Sequence, residues 1–203
     1  MQPGYEAVVL IAGWCGLRWG EVVGLRRRDV DLQQRVLEVY EAISVKRGRR
    51  QPGVSRAGRP HSNATFVRGD VKTAGSRRTV DIPPHIVPAL THHLNSHVDQ
   101  SPDALLFPSV RSKDRPVSGS TFHGWFKAAL KEAGVAEMRV HELRHTAATL
   151  AMQTGQASGF DVMARIGHTS PKTAARYQHV ARERQRTLAT ELSEYARRED
   201  PDL

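Results

Sequence analysis

The chain is organised around V-H-E-L-R-H-T-A-A-T-L-A-M-Q-T-G (residues 140–155), Q-A-S-G-F-D-V-M-A-R-I-G-H-T-S (156–170) and P-K-T-A-A-R-Y-Q-H-V (171–180). His141 and Arg144 are three residues apart, so they share one face of a helix or of its first turn. His168 follows a glycine, where a helix is predicted to end, and Tyr177 lies nine residues further on, beyond a Ser-Pro helix start. Arginine, histidine and tyrosine in this pattern indicate phosphate-ester chemistry. The rest of the chain has to supply the missing groups.

Charge is the most informative feature of the composition. The 203 residues include 30 Lys and Arg against 21 Asp and Glu, which gives a formal net charge of +9. This excess predicts a polyanionic partner, with nucleic acid favoured over a membrane. The single cysteine, Cys15, excludes an intramolecular disulfide and a cysteine-based zinc site. No signal peptide or membrane-spanning run is evident, so we expect one cytoplasmic domain without a membrane partner.

The order of apolar and turn-forming segments predicts an α+β fold. Apolar residues predict a buried helix over 5–17, which Gly16 can end or follow with a tight turn, and a short helix over 19–25. Strands are predicted over 36–45, 65–71 and 77–82, with a hairpin turn at 72–76. The later elements are a helix over 83–98, a polar loop over 109–117, a helix from Ser118 or Ser120 to Ala133 that Gly134 ends, and further helices through an amphipathic segment at 181–197. The result is a mostly helical domain with a small antiparallel three-stranded sheet near its N-terminal part.

Two side chains outside the opening segments are able to complete a phosphate site. Taken alone, Arg18 reads as an ordinary surface charge and Lys72 as a solvated turn residue. However, Gly16 lets the backbone approach a ligand closely, and Glu21 is placed three residues after Arg18 to hold its guanidinium. A turn is also where a general acid can swing into a site, because loops carry functional groups on a rigid scaffold.

Five motifs then form a linked series along the chain. They are G-L-R-W-G-E (16–21), K-T-A-G-S-R-R-T-V-D-I-P (72–83), H-E-L-R-H-T-A-A-T-L (141–150), I-G-H-T-S (166–170) and Y-Q-H (177–179). In this order and spacing they resemble the catalytic domain of the tyrosine recombinases, the phage integrase family, over essentially the whole chain (1–203). The resemblance implies a site-specific recombinase that cleaves and rejoins DNA strands through a covalent 3′-phosphotyrosine intermediate in DNA integration or recombination.

The resemblance also implies a role for each catalytic residue. The implied catalytic set is Arg18, Lys72, His141, Arg144, His168 and Tyr177, with Glu21 supporting the first arginine. The two arginines would clamp the non-bridging phosphate oxygens and stabilise the transition state. Tyr177 would be the nucleophile, Lys72 would protonate the leaving 5′-hydroxyl and His141 would take the tyrosine proton. His168 would hydrogen-bond a phosphate oxygen. Fixed cations would then replace a metal, so neither a metal cofactor nor ATP is expected.

Two features depart from the family pattern. The chain starts shortly before Arg18, so we expect that the N-terminal DNA-gripping helical domain is absent and that the chain is a fragment or an excised domain. Residues 46–63 lengthen the loop before the predicted hairpin and are compatible equally with a DNA-contacting loop and with a disordered surface loop. DNA contacts are predicted for Arg47, Arg49, Arg50, Arg77 and Arg78.

The predicted partner is double-stranded DNA, held through its phosphates. We expect a homo-tetramer on DNA for a full-length, bacterial or phage-encoded protein, and a monomer for the isolated domain. The segment 181–197 carries Leu188, Leu192 and Tyr195 at helical spacing. Packing on its own core and docking onto a neighbouring subunit explain that spacing equally well.

Three alternative functions compete with the recombinase. H-E-L-R-H also satisfies the zinc-protease motif, with His141, His145 and His168 as ligands and Glu142 as the base, but this leaves the net charge without a role. A type IB topoisomerase uses similar residues to relax DNA, although the motif spacing favours a recombinase. A non-catalytic DNA-binding remnant is the third alternative, and the retention of every expected catalytic side chain argues against it.

Overall fold

The computed structural model describes residues 1–47, 64–70, 77–154, 156–167 and 185–198. Its α-helices are α1 (Glu6–Leu10), α2 (Trp19–Val22), α3 (Val87–His97), α4 (Gly119–Glu132), α5 (Val140–Gln153), α6 (Gly159–Ile166) and α7 (185–198). Its strands are β1 (Val30–Asp31), β2 (Val36–Val39), β3 (Glu41–Arg47), β4 (Ala64–Asp70), β5 (Arg78–Asp81), β6 (Pro108–Ser109) and β7 (Ser112–Pro116). The predicted α+β class is confirmed.

The first helix ends at the glycine that the sequence predicts. α1 continues into a π-helical turn at Ile11–Cys15, and Gly16 then takes the left-handed conformation with φ +71°. Glycine adopts this conformation without the steric penalty that a Cβ brings. A Cβ at this position would also lie 2.9 Å from Cγ2 of Ile166, so α6 packs directly over this turn.

The predicted three-stranded antiparallel sheet is confirmed, but its pairing differs from the predicted hairpin. The sheet has the order β1-β2-β5, with Val36 opposite Asp81 and Val39 opposite Arg78. β4 pairs instead with β3, from Glu41 opposite Asp70 to the far end of both strands. Because the predicted strand 36–45 is interrupted at Tyr40, each half takes its own partner. The predicted turn at 72–76 lies outside the described residues.

Residues 109–117 are not the irregular loop that their polarity predicts. β6 and β7 pair antiparallel within this region, with Ser109 opposite Ser112. The side chains between Lys113 and Arg115 are exposed, so backbone hydrogen bonds form the ladder without an apolar face to signal it. The helix that follows agrees with prediction, since Ser118 caps α4 by accepting the Thr121 N–H at 3.1 Å.

Most of the core lies between the N-terminal helices, the sheet, α3 and α4. Among its fully buried members are Val8, Leu37, Leu90, Phe107 and Phe122. The sheet and α1 are thereby fixed against each other, which gives the site described below a rigid base.

A second apolar cluster holds α5, α6 and α7 together. Its buried members are Ala151, Val162, Ile166, Leu188 and Leu192. The described part of the predicted amphipathic segment therefore packs on its own chain, while docking onto a neighbouring subunit stays a prediction. Within the described ranges, no helix has the length and apolar character that a membrane crossing requires.

Candidate active site

Arg18 lies at the N-terminal cap of α2, where the chain leaves the left-handed turn at Gly16. Its backbone N–H donates to Oε2 of Glu21 at 2.8 Å, and its Nη1 donates to Oε1 of the same carboxylate at 2.8 Å. Its Nη2 donates to the carbonyl oxygen of Gly167 at 2.7 Å. The side chain remains 39% exposed. The ion pair predicted from the three-residue spacing is present, and the Arg18 side chain is still partly accessible to solvent.

Glu21 is the buried anion at the centre of the site. Its side chain is 1% exposed. Burial acts to raise the pKa of its carboxyl, but hydrogen bonds and charge from Arg78 and hydrogen bonds from Arg18 outweigh it, and the pKa lies below its ordinary value. Glu21 is therefore ionised at neutral pH and holds the arginines around it.

Arg78 lies inside the cluster of charged groups rather than on the exposed surface. It was predicted as a DNA contact, yet its side chain is 8% exposed. Nη2 and Nη1 donate to the two Glu21 carboxylate oxygens at 2.9 and 3.2 Å, and Nε donates to the carbonyl oxygen of Arg165 at 3.0 Å. The strand period was an available signal, because it places Arg78 on the same face as the buried Val80 and Ile82.

Arg144 contributes the second guanidinium that the sequence predicts for the site. It lies on α5 and is 2% exposed, and its Nη1 donates to the carbonyl oxygen of Gly16 at 2.5 Å. Nη2 is buried and has no hydrogen-bond partner in the described part of the chain. Burial, followed by repulsion from Arg18, lowers the pKa of Arg144 to about 10 despite attraction from Glu21. Arg144 is still a cation at neutral pH, with one donor unused.

Two glycine carbonyls anchor the two predicted arginines. Gly16 and Gly167 both end helices in the left-handed conformation, with φ +71° and +68°. The last carbonyls of a helix lack intrahelical partners and carry partial negative charge, so a guanidinium there is favoured. A Cβ on Gly167 would lie 2.8 Å from Nη1 of Arg78, so the site requires glycine on steric grounds too.

Arg165 is a further buried arginine that stabilises the elements around the site, and it was not identified from the sequence. It is 2% exposed, and its Nη2 donates to the carbonyl oxygens of Asp81 and Trp14 at 3.0 and 3.1 Å. Its Nη1 donates to Oε1 of Gln185 in α7 at 3.3 Å. Burial lowers the pKa of Arg165. The available signal was helical spacing, which places Arg165 on the apolar stripe of α6.

Two ligands of the zinc-protease alternative, His141 and His145, lie on α5, and its third ligand, His168, lies outside the described residues. Both rings are exposed on α5, with centroids 4.9 Å apart and nearly perpendicular. Glu142, the base of that alternative, accepts the backbone N–H of Arg139 and caps the helix. The described ranges contain no group of three His, Cys, Asp or Glu side chains suited to a metal.

The described residues thus bring three predicted groups together: Arg18, Glu21 and Arg144. His141 lies on α5, three residues before Arg144, and is exposed. Arg77 is exposed immediately before β5, and Arg47 ends β3. Outside the described residues lie Lys72, His168, Tyr177, Arg49 and Arg50.

The chemistry available to the described cluster is anion binding. The guanidiniums of Arg18 and Arg78 pair with one carboxylate and that of Arg144 interacts with it through charge, so three positive charges and one negative charge leave a formal charge of +2. An exposed guanidinium and an unused buried donor suit the paired oxygens of a phosphate group. A buried donor without a partner is unfavourable until such a ligand arrives.

Comparison with known proteins is consistent with this chemistry. Residues 4–184 match the phage integrase family. The putative prophage phiRv2 integrase of Mycobacterium tuberculosis H37Rv is 38% identical over 200 residues, which cover 98% of this chain and 49% of that protein. The chain therefore spans about half the length of the curated relatives it matches.

Solved structures share the fold. The integrase from mycobacterium phage Brujita has a TM-score of 0.63 at 16% identity, covering 95% of this chain and 52% of that one. The Tn1549 transposon integrase, solved in complex with circular intermediate DNA, has a TM-score of 0.62 at 21% identity, covering 87% of this chain and 55% of that one.

Proposed function

The chain belongs to the phage integrase family, and on this premise we propose that it is the catalytic domain of a site-specific DNA recombinase. The reaction cleaves and rejoins DNA strands through a covalent 3′-phosphotyrosine. The observation that carries the proposal is that Arg18 and Arg144 lie near Glu21, with Nη2 of Arg144 buried and without a hydrogen-bond partner among the described residues. Such a site is built in advance for a diester phosphate.

In the proposed mechanism the two arginines bind the non-bridging oxygens of the scissile phosphate. Their charges stabilise the pentacoordinate transition state, in which negative charge on those oxygens increases. Tyr177 attacks the phosphorus and forms the 3′-phosphotyrosine, while the 5′-oxygen leaves. Because a tyrosine hydroxyl has an ordinary pKa of about 10, it needs a base and a positive site to react at neutral pH.

Two further groups handle the protons in this mechanism. His141 takes the proton of Tyr177, and Lys72 protonates the leaving 5′-oxygen. His168 donates a hydrogen bond to a phosphate oxygen. The phosphotyrosine conserves the energy of the phosphodiester, so the reverse attack by a 5′-hydroxyl rejoins a strand without ATP.

The proposed partner is double-stranded DNA in the cytoplasm of a bacterial host. The chain's formal charge of +9 favours phosphate contacts along the duplex, so affinity falls steeply as salt rises. The exposed Arg77 is proposed as one such contact, with Arg47, Arg49 and Arg50. A full-length protein is proposed to assemble as a homo-tetramer on DNA, and the isolated domain to be a monomer.

The decisive experiment uses a nicked suicide DNA substrate, with this chain tested both alone and joined to the N-terminal half of a relative. We expect an SDS-resistant protein–DNA adduct that forms in EDTA and is lost in Tyr177→Phe. An adduct of undiminished yield in that variant would show that another residue is the nucleophile. Relaxation of supercoiled DNA without strand exchange would favour a topoisomerase instead.

The arginine clamp has its own test in the same assay. Arg18→Ala and Arg144→Ala should each lower the rate of adduct formation by about 100- to 1,000-fold, as for the loss of one transition-state donor. Arg111→Ala is the matched control, because it removes the same charge from an exposed position in the β6–β7 turn. Cleavage at the control rate in either clamp variant would contradict the assignment.

A further inference from the structure

Arg78 binds the carboxylate of Glu21 at the centre of the site, although it is not one of the two arginines predicted to clamp the phosphate. Its side chain lies on β5, opposite Val39 of β2, and is 8% exposed. The fork of the guanidinium meets both oxygens of Glu21, at 2.9 and 3.2 Å, while Nε donates to the Arg165 carbonyl at the end of α6. Arg78 therefore links the sheet to α2 through the Glu21 carboxylate and to α6 through the Arg165 carbonyl.

The same carboxylate fixes Arg18. The Glu21 oxygens accept the Arg18 backbone N–H and its Nη1, both at 2.8 Å, in addition to the two bonds from Arg78. With both oxygens held from two sides, the carboxylate cannot rotate about its last bond without breaking charge-assisted hydrogen bonds. The guanidinium of Arg18 is thereby held at Nη1 by Glu21 and at Nη2 by Gly167.

Charge gives Arg78 a second effect on the clamp. Without it, the negative charge of Glu21 would offset one of the two charges on Arg18 and Arg144, leaving a formal charge of +1 for the phosphate. With Arg78 present the cluster has +2, while Glu21 still opposes the burial and the repulsion from Arg18 that together lower the pKa of Arg144 to about 10. Arg78 thus lets one carboxylate orient the clamp without neutralising it.

We propose that Arg78 is a positioning residue for DNA strand cleavage, acting through Glu21 on Arg18 rather than by touching DNA. This inference rests on the proposed recombinase function for its kinetic consequences. Its structural content, an oriented and ionised Glu21, is independent of the reaction and is tested separately below.

The test compares Arg78→Met, which keeps the length and loses the charge, with Arg78→Lys, which keeps the charge and loses the fork. The rate of adduct formation is measured with saturating suicide DNA between about pH 5 and pH 9. We expect Arg78→Met to slow adduct formation by about 10- to 100-fold at neutral pH, as for loss of a charge-assisted hydrogen bond. Arg78→Lys should fall between that variant and wild type.

The pH profile separates positioning from a merely structural role. Among the described residues, the charged groups near Glu21 are Arg18 at the N-terminal cap of α2, Arg78 on β5 and Arg144 on α5. When Arg78 is lost, burial raises the pKa of Glu21 without its main opposing partner. The defect of Arg78→Met should therefore deepen toward acid pH and lessen as the pH rises. In a Glu21→Gln background, Arg78→Met should add no pH dependence to the rate of adduct formation. This background therefore separates the titration of Glu21 from that of the histidines.

A second readout uses sulfate, a divalent anion throughout this pH range, as a probe of the clamp in the wild-type chain. Sulfate affinity, measured by calorimetry at low temperature, should fall in Arg18→Ala and in Arg78→Met, and for Arg78→Met the loss should be greatest at acid pH. If wild type binds sulfate in this way but forms no adduct, the recombinase function fails and the positioning role stands. If folded Arg78→Met has the wild-type sulfate affinity and pH profile, the inference about Arg78 is wrong.

Discussion

Replacing Glu21 with glutamine is predicted to destabilise the protein strongly, although the two side chains have nearly the same shape. The carboxylate is buried and accepts four hydrogen bonds, two from Arg18 and two from Arg78. Glutamine keeps one acceptor oxygen but turns an N–H₂ group toward a guanidinium. It also leaves three clustered cations without their counter-charge.

The magnitude follows from the loss of one partner of a buried ion pair. Such a loss costs about 3–5 kcal/mol, and the amide oxygen recovers about 1 kcal/mol for each neutral-acceptor bond that it keeps. We therefore expect a decrease of about 3 kcal/mol in the free energy of unfolding, or a melting temperature lower by about 6–12 °C for a domain of this size.

The effect has a defined pH dependence. The folded-state pKa of Glu21 lies below its ordinary value of 4.5. Its stabilisation is therefore fully present above pH 4.5 and is lost as the pH falls through the lower folded value. Thermal unfolding followed by circular dichroism should show a constant gap between wild type and Glu21→Gln at neutral pH, and a shrinking gap in acid.

A matched control tests whether burial and charge are the cause. Glu142→Gln makes the same chemical change in an exposed carboxylate that accepts one backbone N–H, and should cost less than about 1 kcal/mol. Equal melting temperatures for Glu21→Gln and the control would refute the reasoning. A gap that persisted unchanged far below pH 4.5 would show that charge is not its origin.

Three further substitutions test the frame of the site. Gly167→Ala combines a positive φ with a Cβ 2.8 Å from Arg78, whereas its control Gly134→Ala has a similar φ of +67° and open space around the Cβ. In urea unfolding, Gly134→Ala should cost about 1 kcal/mol and Gly167→Ala should cost more. Arg165→Met, which removes the three hydrogen bonds of a buried guanidinium, should lower the free energy of unfolding by about 2–4 kcal/mol and preferentially increase hydrogen exchange in α7. Ser118→Ala should cost about 1 kcal/mol by loss of the α4 cap.

Each of these has an outcome that would contradict it. Equal losses for the two glycine variants would mean that the neighbouring guanidinium moves aside freely. Unchanged exchange in α7 after Arg165→Met would mean that apolar packing alone holds that helix. An unaltered stability for Ser118→Ala would show that water replaces the capping oxygen.

The helices and their ends were largely predictable because their signals are local. The end of the first helix at Gly16, the Ser118 cap and the stop at Gly134 each depend on residues within one turn. Strand pairing was less predictable. The hairpin expected across 72–76 is replaced by pairing of β4 with β3 and β5 with β2, since an interruption at one residue, Tyr40, redirects both partners.

The sequence alone determined the family and the order of its motifs. It also determined the pairing of Arg18 with Glu21, because a three-residue spacing on a helix brings those side chains together. Only the tertiary structure decided that Arg78 faces inward onto Glu21, that Arg165 joins the sheet to α7, and that the carbonyls of Gly16 and Gly167 hold the two predicted arginines. Most of these contacts join residues that are 57 to 149 positions apart in the sequence. The exception is the contact from Arg165 to α7, which spans 20 positions. Strand and helix periods can mark an arginine as facing inward, but only packing decides which distant group it then meets.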